Sequence, residues 1–218
     1  MYPKSVIEQV VKSQRERLNK TDKGMWRKIS GFERLSTHAF IVSGVRRCGK
    51  STVLQQIDTA SKEPSIYLNF EDPRLAGFDL SDFNRLQEIA EEAGINRYFF
   101  DEIQEIEGWE SFIRFRLDEN YRIFISGSNA RILSKELGSK LTGRHITREL
   151  FPFSYLEYLE FTAKSRNEES SEQYLRDGGF PEYLKTELDD VLMQVFNDII
   201  SRDIILRYRI KNAEIIKQ

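Results

Sequence analysis

His38-Ala39-Phe40-Ile41-Val42-Ser43-Gly44-Val45-Arg46-Arg47-Cys48-Gly49-Lys50-Ser51-Thr52 runs from a short apolar segment straight into a glycine-bounded basic turn. Residues 38–43 are apolar and partly β-branched, and they read as a buried strand. Gly44 to Ser51 fit the pattern G-x-x-x-x-G-K-[ST] at every fixed position. Glycines let the chain bend so that successive N–H groups point inward at phosphate oxygens. The turn then empties into a helix N-terminus, whose dipole favours an anion. Lys50 supplies a point charge to the β- and γ-phosphates, and Ser51 offers a hydroxyl to Mg²⁺. Chance alone would produce this pattern in roughly one chain of this length in a hundred. The context argues further against chance, because residues 50–59 form a helical stretch carrying Val53, Leu54 and Ile57. The candidate nucleotide-binding set is therefore Gly44, Val45, Arg46, Arg47, Cys48, Gly49, Lys50, Ser51 and Thr52.

Three of these fill free positions of the pattern. Arg46 and Arg47 are placed to touch phosphate, a neighbouring subunit or solvent. Cys48 sits near a helix N-terminus, where a thiol pKa is commonly lowered.

Downstream, Tyr98-Phe99-Phe100-Asp101-Glu102 is an apolar strand ending in two adjacent acids. At the carboxyl end of a parallel strand such acids project into the crevice where ligands bind. Asp101 suits Mg²⁺, held through water, and Glu102 suits orienting or deprotonating an attacking water. Acids commonly end strands, but this pair follows a phosphate loop by about 50 residues with one strand between. Ser126-Gly127-Ser128-Asn129 closes a fourth strand, and Ser126, Ser128 and Asn129 are each candidates to sense a γ-phosphate or to cap the next helix. Asn69, ending the second strand, is a candidate partner for Glu102 or a structural amide. Arg144 follows a short helix and precedes the last strand. It is a candidate finger for a neighbouring subunit's γ-phosphate, or a surface arginine. His38 and His145 lie at strand starts, away from the acids, and read as structural.

The chain of 218 residues is 39% hydrophobic and 31% charged, with 15 Phe, 9 Tyr and 2 Trp to build a core. That excludes a disordered chain. Thirty-three basic against 35 acidic side chains give a net charge of -2, which excludes a tail-driven nucleic-acid binder. One cysteine excludes a disulfide framework and a cysteine zinc site, and fits a reducing cytoplasm. No apolar run approaches 18 residues, so no membrane span is expected.

Helical periodicity appears at 4–18 and again, more briefly, near 22–34. Strands are expected at 38–43, 65–70, 97–101, 121–126 and 145–150, alternating with helices at 50–59, 79–93, 109–119 and 130–138. Gly94 is placed to end the 79–93 helix. The alternation predicts an α/β fold: a five-stranded, mostly parallel sheet with helices on both faces. After Pro152 the pattern is wholly helical, at 154–163, 171–177 and 188–218, with a turn at Gly178-Gly179. The expected organisation is an N-terminal helical segment at 1–34, a phosphate-loop core at 35–151 and a helical lid at 152–218.

Taken in order, GVRRCGKST, YLNFEDPRL, YFFDEIQ, ISGSNARILSKEL, LTGRHITRELFPFSYLEYL and DGGFPEYL resemble the AAA+-superfamily P-loop ATPases of bacteria and archaea that carry a C-terminal domain of unknown function. The resemblance runs from about residue 20 to the end. It implies an AAA-type strand order with the phosphate-loop strand central, a helical lid, and bound ATP and Mg²⁺. Lys50, Ser51, Asp101 and Glu102 match the family's nucleotide and catalytic positions, and Arg144 matches its Gly-Arg position. Because the helical pattern near 199–216 stops without a cap, the chain is expected to be truncated before that second domain. The expected function is an AAA-type ATPase that drives or switches a partner interaction, with a homo-oligomer supplying Arg144 in trans. A nucleotide-gated DNA- or protein-binding module is the alternative; Arg202, Arg207, Arg209 and Lys211 are candidates to touch phosphate backbones, but interspersed acids favour a solvated helix face for them. A small-molecule kinase is a further one, disfavoured by the water-activating acid.

Overall fold

In the computed structural model, described residues are 1–33, 35, 37–128, 141 and 143–205, with only the backbone described at Ser128, Arg202 and Asp203. Five strands form one sheet: β1 (Ala39–Gly44), β2 (Ile66–Asn69), β3 (Arg97–Asp101), β4 (Arg122–Ser128) and β5 (His145–Leu150). Their order is β2-β3-β4-β1-β5, and all four pairings are parallel. The phosphate-loop strand is interior, between β4 and β5, while the middle place falls to β4. His38 and His145 lie at the amino ends of β1 and β5.

Strands β1 to β4 are largely buried because helices cover both faces, whereas β5, at one edge of the sheet, leaves Arg148 and Glu149 exposed. Side chains alternate, so Ile41, Leu68, Tyr98, Phe100, Ile123 and Ile125 enter one core and Phe40, Val42, Tyr67, Phe99 and Phe124 the other. The first core is closed by α1 (Lys4–Lys20), α3 (Asp82–Glu92) and α4 (Trp109–Asp118), through residues such as Ile7, Phe83 and Ile113. The second is closed chiefly by α2 (Lys50–Ser61), through Val53, Leu54 and Ile57. Aromatic rings fill both: Phe99 stacks on Phe124 with centroids 4.5 Å apart, and Phe83 on Phe112 at 4.3 Å. Gly94 ends α3 as expected, since its N–H bonds to Glu91 O and that of Ile95 to Ala90 O, the reciprocal pair of a Schellman turn.

The expected helix near 22–34 does not form, and the described residues from Thr21 to Phe32 are irregular. The cause is tertiary. The buried Gln56 side chain donates to the carbonyls of Lys23 and Met25, each at 2.8 Å, and accepts from Arg27 N–H at 3.1 Å. Those bonds satisfy backbone groups that a helix would pair internally. The expected 130–138 helix lies outside the described residues.

Beyond β5 come α5 (Tyr155–Thr162), α6 (Glu168–Asp177), α7 (Pro181–Thr186), α8 (Asp189–Asp198) and a π-helical turn at Ile199–Ile205. Ser154 and Glu157 form a capping box on α5, and Asn167 caps α6. The sequence pattern missed α7, which is short and opens with Pro181 at its first turn. The turn at Gly178-Gly179 is present. A Cβ on Gly179 would stand 2.1 Å from Phe153 O, so only glycine lets these backbones meet. No helix among the described residues is long and apolar enough to cross a membrane.

Candidate functional site

Parallel strands place β1, β3 and β4 ends together, and the chemistry of the chain collects there. Gly44 closes β1 against Leu150 of β5, where a Cβ would stand 2.3 Å from Leu150 O. Gly49 holds φ at 101° as the N-cap residue of α2, a conformation that favours glycine, and a Cβ there would meet nothing within 4 Å. No side chain caps α2, so its first-turn N–H groups face an open cradle. A cradle of backbone donors, a buried lysine and a serine hydroxyl fits a polyphosphate with its divalent cation.

Lys50 Nζ donates to Val45 O at 3.1 Å and lies 3.8 Å from Glu102 Oε1. Glu102 leaves β3 with φ at 54°, an uncommon conformation for a non-glycine residue. It turns the side chain toward Lys50, and its N–H bonds to Ser126 O at 3.1 Å. Burial pushes the Glu102 carboxyl above its usual range, the Lys50 ammonium opposes the rise, and Asp101 adds to it. Gln104, which the sequence reading passed over, donates its amide to the same carboxylate.

Asp101 is fully buried. One carboxylate oxygen accepts the Ser126 hydroxyl and the other accepts the Tyr67 phenol at 2.6 Å. Burial, with the Asp101 charge second, pushes the Tyr67 phenol well above its usual range, so it stays a donor. Ser126 thus spends its hydroxyl on Asp101. Ser128 lies in β4 and Asn129 lies outside the described residues. Asn69 turns its side-chain oxygen to the Glu71 N–H at 2.8 Å, and Gln104 holds the carboxylate that Asn69 was expected to meet.

Beside these acids a cleft of about 550 Å³ is walled by Arg17 of α1, Ser51, Tyr67, Asn69, Asp72 and Asp101. A second cleft of about 50 Å³ lies across the loop, with Met25, Thr52, Phe153, Phe161 and Pro181 among its walls. The sequence reading missed both, because α1 and the Lys23–Arg27 segment carry no motif.

The loop arginines are ion-paired. Arg46 reaches Glu71 at 3.3 Å, while Arg47 reaches Glu182 of α7 at 2.5 Å and Asp198 of α8 at 3.7 Å. Arg27 ties the N-terminal segment to Glu157 at 2.7 Å and Phe151 O at 3.0 Å, with its guanidinium 4.9 Å from the Phe153 ring centre. Cys48 departs from expectation. It is fully buried, and burial pushes its thiol up despite the nearby Lys50 and Arg27 charges. Arg144 sits at the amino end of β5, about 20 Å of strand away from the loop, and pairs with Asp118 at 2.6 Å. It does not join its own chain's site. Arg207, Arg209 and Lys211 lie outside the described residues, and the side chain of Arg202 is not described.

The chain is 36% identical over 196 residues to MJ1544, an uncharacterized protein of Methanocaldococcus jannaschii, covering 81% of this chain and 44% of that protein. It is 34% identical over 196 residues to an uncharacterized protein of Haemophilus influenzae, covering 81% of this chain and 48% of that one. The chain thus spans just under half the length of these curated relatives. A solved structure of katanin matches with 13% identity and a TM-score of 0.45, over 73% of this chain and 64% of that one. The model of the AAA domain family matches residues 36–159, which hold the phosphate loop, the paired acids and all five strands. This chain belongs to the AAA domain family of P-loop ATPases.

Proposed function

We propose that the chain binds MgATP on Gly44–Thr52 and hydrolyses it, using the cycle to switch a partner interaction. The observation that carries this is the convergence of Lys50 and Glu102, 3.8 Å apart at the carboxyl end of a parallel sheet. Lys50 would leave Val45 O for the β- and γ-phosphates, which also separates it from Glu102. Ser51 and Asp101 would hold Mg²⁺, and the bound ion supplies charge neutralisation at the transferring phosphoryl group. Glu102 would take a proton from water as the water oxygen attacks the γ-phosphorus, with ADP leaving. The 550 Å³ cleft borders Ser51 and Asp101 and has room for the waters of a hydrated cation there.

The apolar 50 Å³ cleft is the wall against which a nucleobase would pack, but ligand pockets run to roughly 300–1,000 Å³. Helices α5 to α7 must therefore swing away for a base to enter, and the Arg47–Glu182 and Arg27–Glu157 pairs are ties that such a swing breaks. Arg144 cannot serve its own site, so a neighbouring copy would supply it, and an isolated chain should turn over slowly. A single buried cysteine suits a reducing cytoplasm.

The experiment is calorimetry of MgATP on parent and Lys50→Ala. Loss of binding in the variant is expected, and unchanged affinity would remove the site assignment.

A further inference from the structure

We propose that Tyr67 is a positioning residue for the metal-holding acid: its phenol, with the Ser126 hydroxyl opposite, fixes the Asp101 carboxylate for the divalent cation. The proposal rests on the MgATP reading of the site.

The placement follows from register. In the β2–β3 pairing Asn69 lies beside Asp101 and Tyr67 beside Phe99. Alternation then puts Tyr67 on the same face as Asp101, one step back along the sheet. Its hydroxyl reaches Asp101 Oδ2 at 2.6 Å, within the range of a charge-assisted O–H···O⁻ bond. From the other side of β3, Ser126 on β4 donates to Oδ1. Each oxygen so fixed keeps lone-pair capacity for a metal-bound water.

The tyrosine ring is itself fixed. It is 4% exposed and packs in the core with Leu18, Leu54 and Phe99. Core packing alone would be met by phenylalanine or isoleucine at this place. What the hydroxyl adds is a donor to a carboxylate that is 0% exposed. Tyr67, Asp101 and Ser51 all border the 550 Å³ cleft, so the fixed acid and the serine expected to share the ion line one cavity. Outer partners of metal-holding groups typically change metal affinity or activity by about 10–100-fold.

The test is ADP calorimetry with and without Mg²⁺ on the parent, Tyr67→Phe, Asp101→Asn and the double variant, each with a melting curve. ADP affinity without metal should be the same in parent and Tyr67→Phe. The Mg²⁺ concentration that half-restores tight binding should rise about 10–100-fold in Tyr67→Phe. In the Asp101→Asn background, Tyr67→Phe should change it no further, because the phenol acts through that acid. A metal requirement equal to the parent's overturns the proposal, and so does an equal loss in the Asp101→Asn background. If Tyr67→Phe does not fold, Ser126→Ala tests the same pair of hydroxyls, and an unchanged metal requirement there overturns it. A parent whose ADP affinity ignores Mg²⁺ removes the MgATP reading itself, and this proposal with it.

Discussion

Gly44→Ala tests the coupling between the sheet and the phosphate loop. The added Cβ would stand 2.3 Å from Leu150 O and 2.8 Å from Cys48 Sγ, whereas ordinary contact begins near 3.4 Å. The nearer obstacle is main chain in a paired strand, so β1 and β5 must part by about 1 Å at their carboxyl ends. Overpacking of this kind costs about 1–3 kcal/mol. A lost or stretched ladder hydrogen bond adds about 1 kcal/mol. The sum, about 2–4 kcal/mol, corresponds to a fall in Tm of about 5–15 °C for a chain of this size. Differential scanning calorimetry of parent and variant reads it directly. Gly49→Ala is the control: nothing lies within 4 Å of its Cβ, so its cost is the backbone strain at φ 101°, about 1–3 kcal/mol. It should weaken nucleotide binding more than it lowers Tm. A Gly44→Ala protein melting within 2 °C or so of the parent would refute the close-approach reasoning.

Glu102→Gln should still bind ATP while its turnover falls about a hundredfold, measured by phosphate release. Because burial raises the folded-state carboxyl pKa, the folded state loses stability as pH rises through the ordinary glutamate range toward that raised value. Glu102→Gln should therefore melt above the parent at neutral pH, with the gap closing as pH falls below that range. Turnover of the parent should rise more than linearly with protein concentration. Arg144→Ala should remove that rise with ATP affinity nearly intact, since a finger supplied in trans contributes about 10³–10⁵ in rate. A rate strictly proportional to concentration, equal in both proteins, would exclude Arg144 as a trans finger.

The strands and the phosphate loop were readable without coordinates because their signals are local. An apolar run of β-branched and aromatic residues, a fixed glycine-lysine spacing and a pair of acids after an aromatic strand each sit within a few neighbouring positions. The parallel alternation then brings Lys50 and Glu102 to one end of the sheet without further information. The resemblance to AAA-type ATPases, legible in the ordered motifs, meets the family match over residues 36–159. What failed or stayed hidden depends on residues distant in the chain. Residues 22–34 carry helical spacing, yet Gln56 takes over the backbone bonding of Lys23 to Arg27. Cys48 sits at a helix N-terminus, yet desolvation in the core outweighs the nearby cations and backbone N–H groups. Arg47 reads as a free loop position, and only the folding-back of α7 and α8 gives it carboxylate partners. Tyr67 looks like any strand aromatic until the β2–β3 register sets its hydroxyl on Asp101. Periodicity and spacing report what a residue's neighbours in the chain dictate. Hydrogen bonds, burial and charge depend on which distant residue arrives opposite, and only the packed structure decides that.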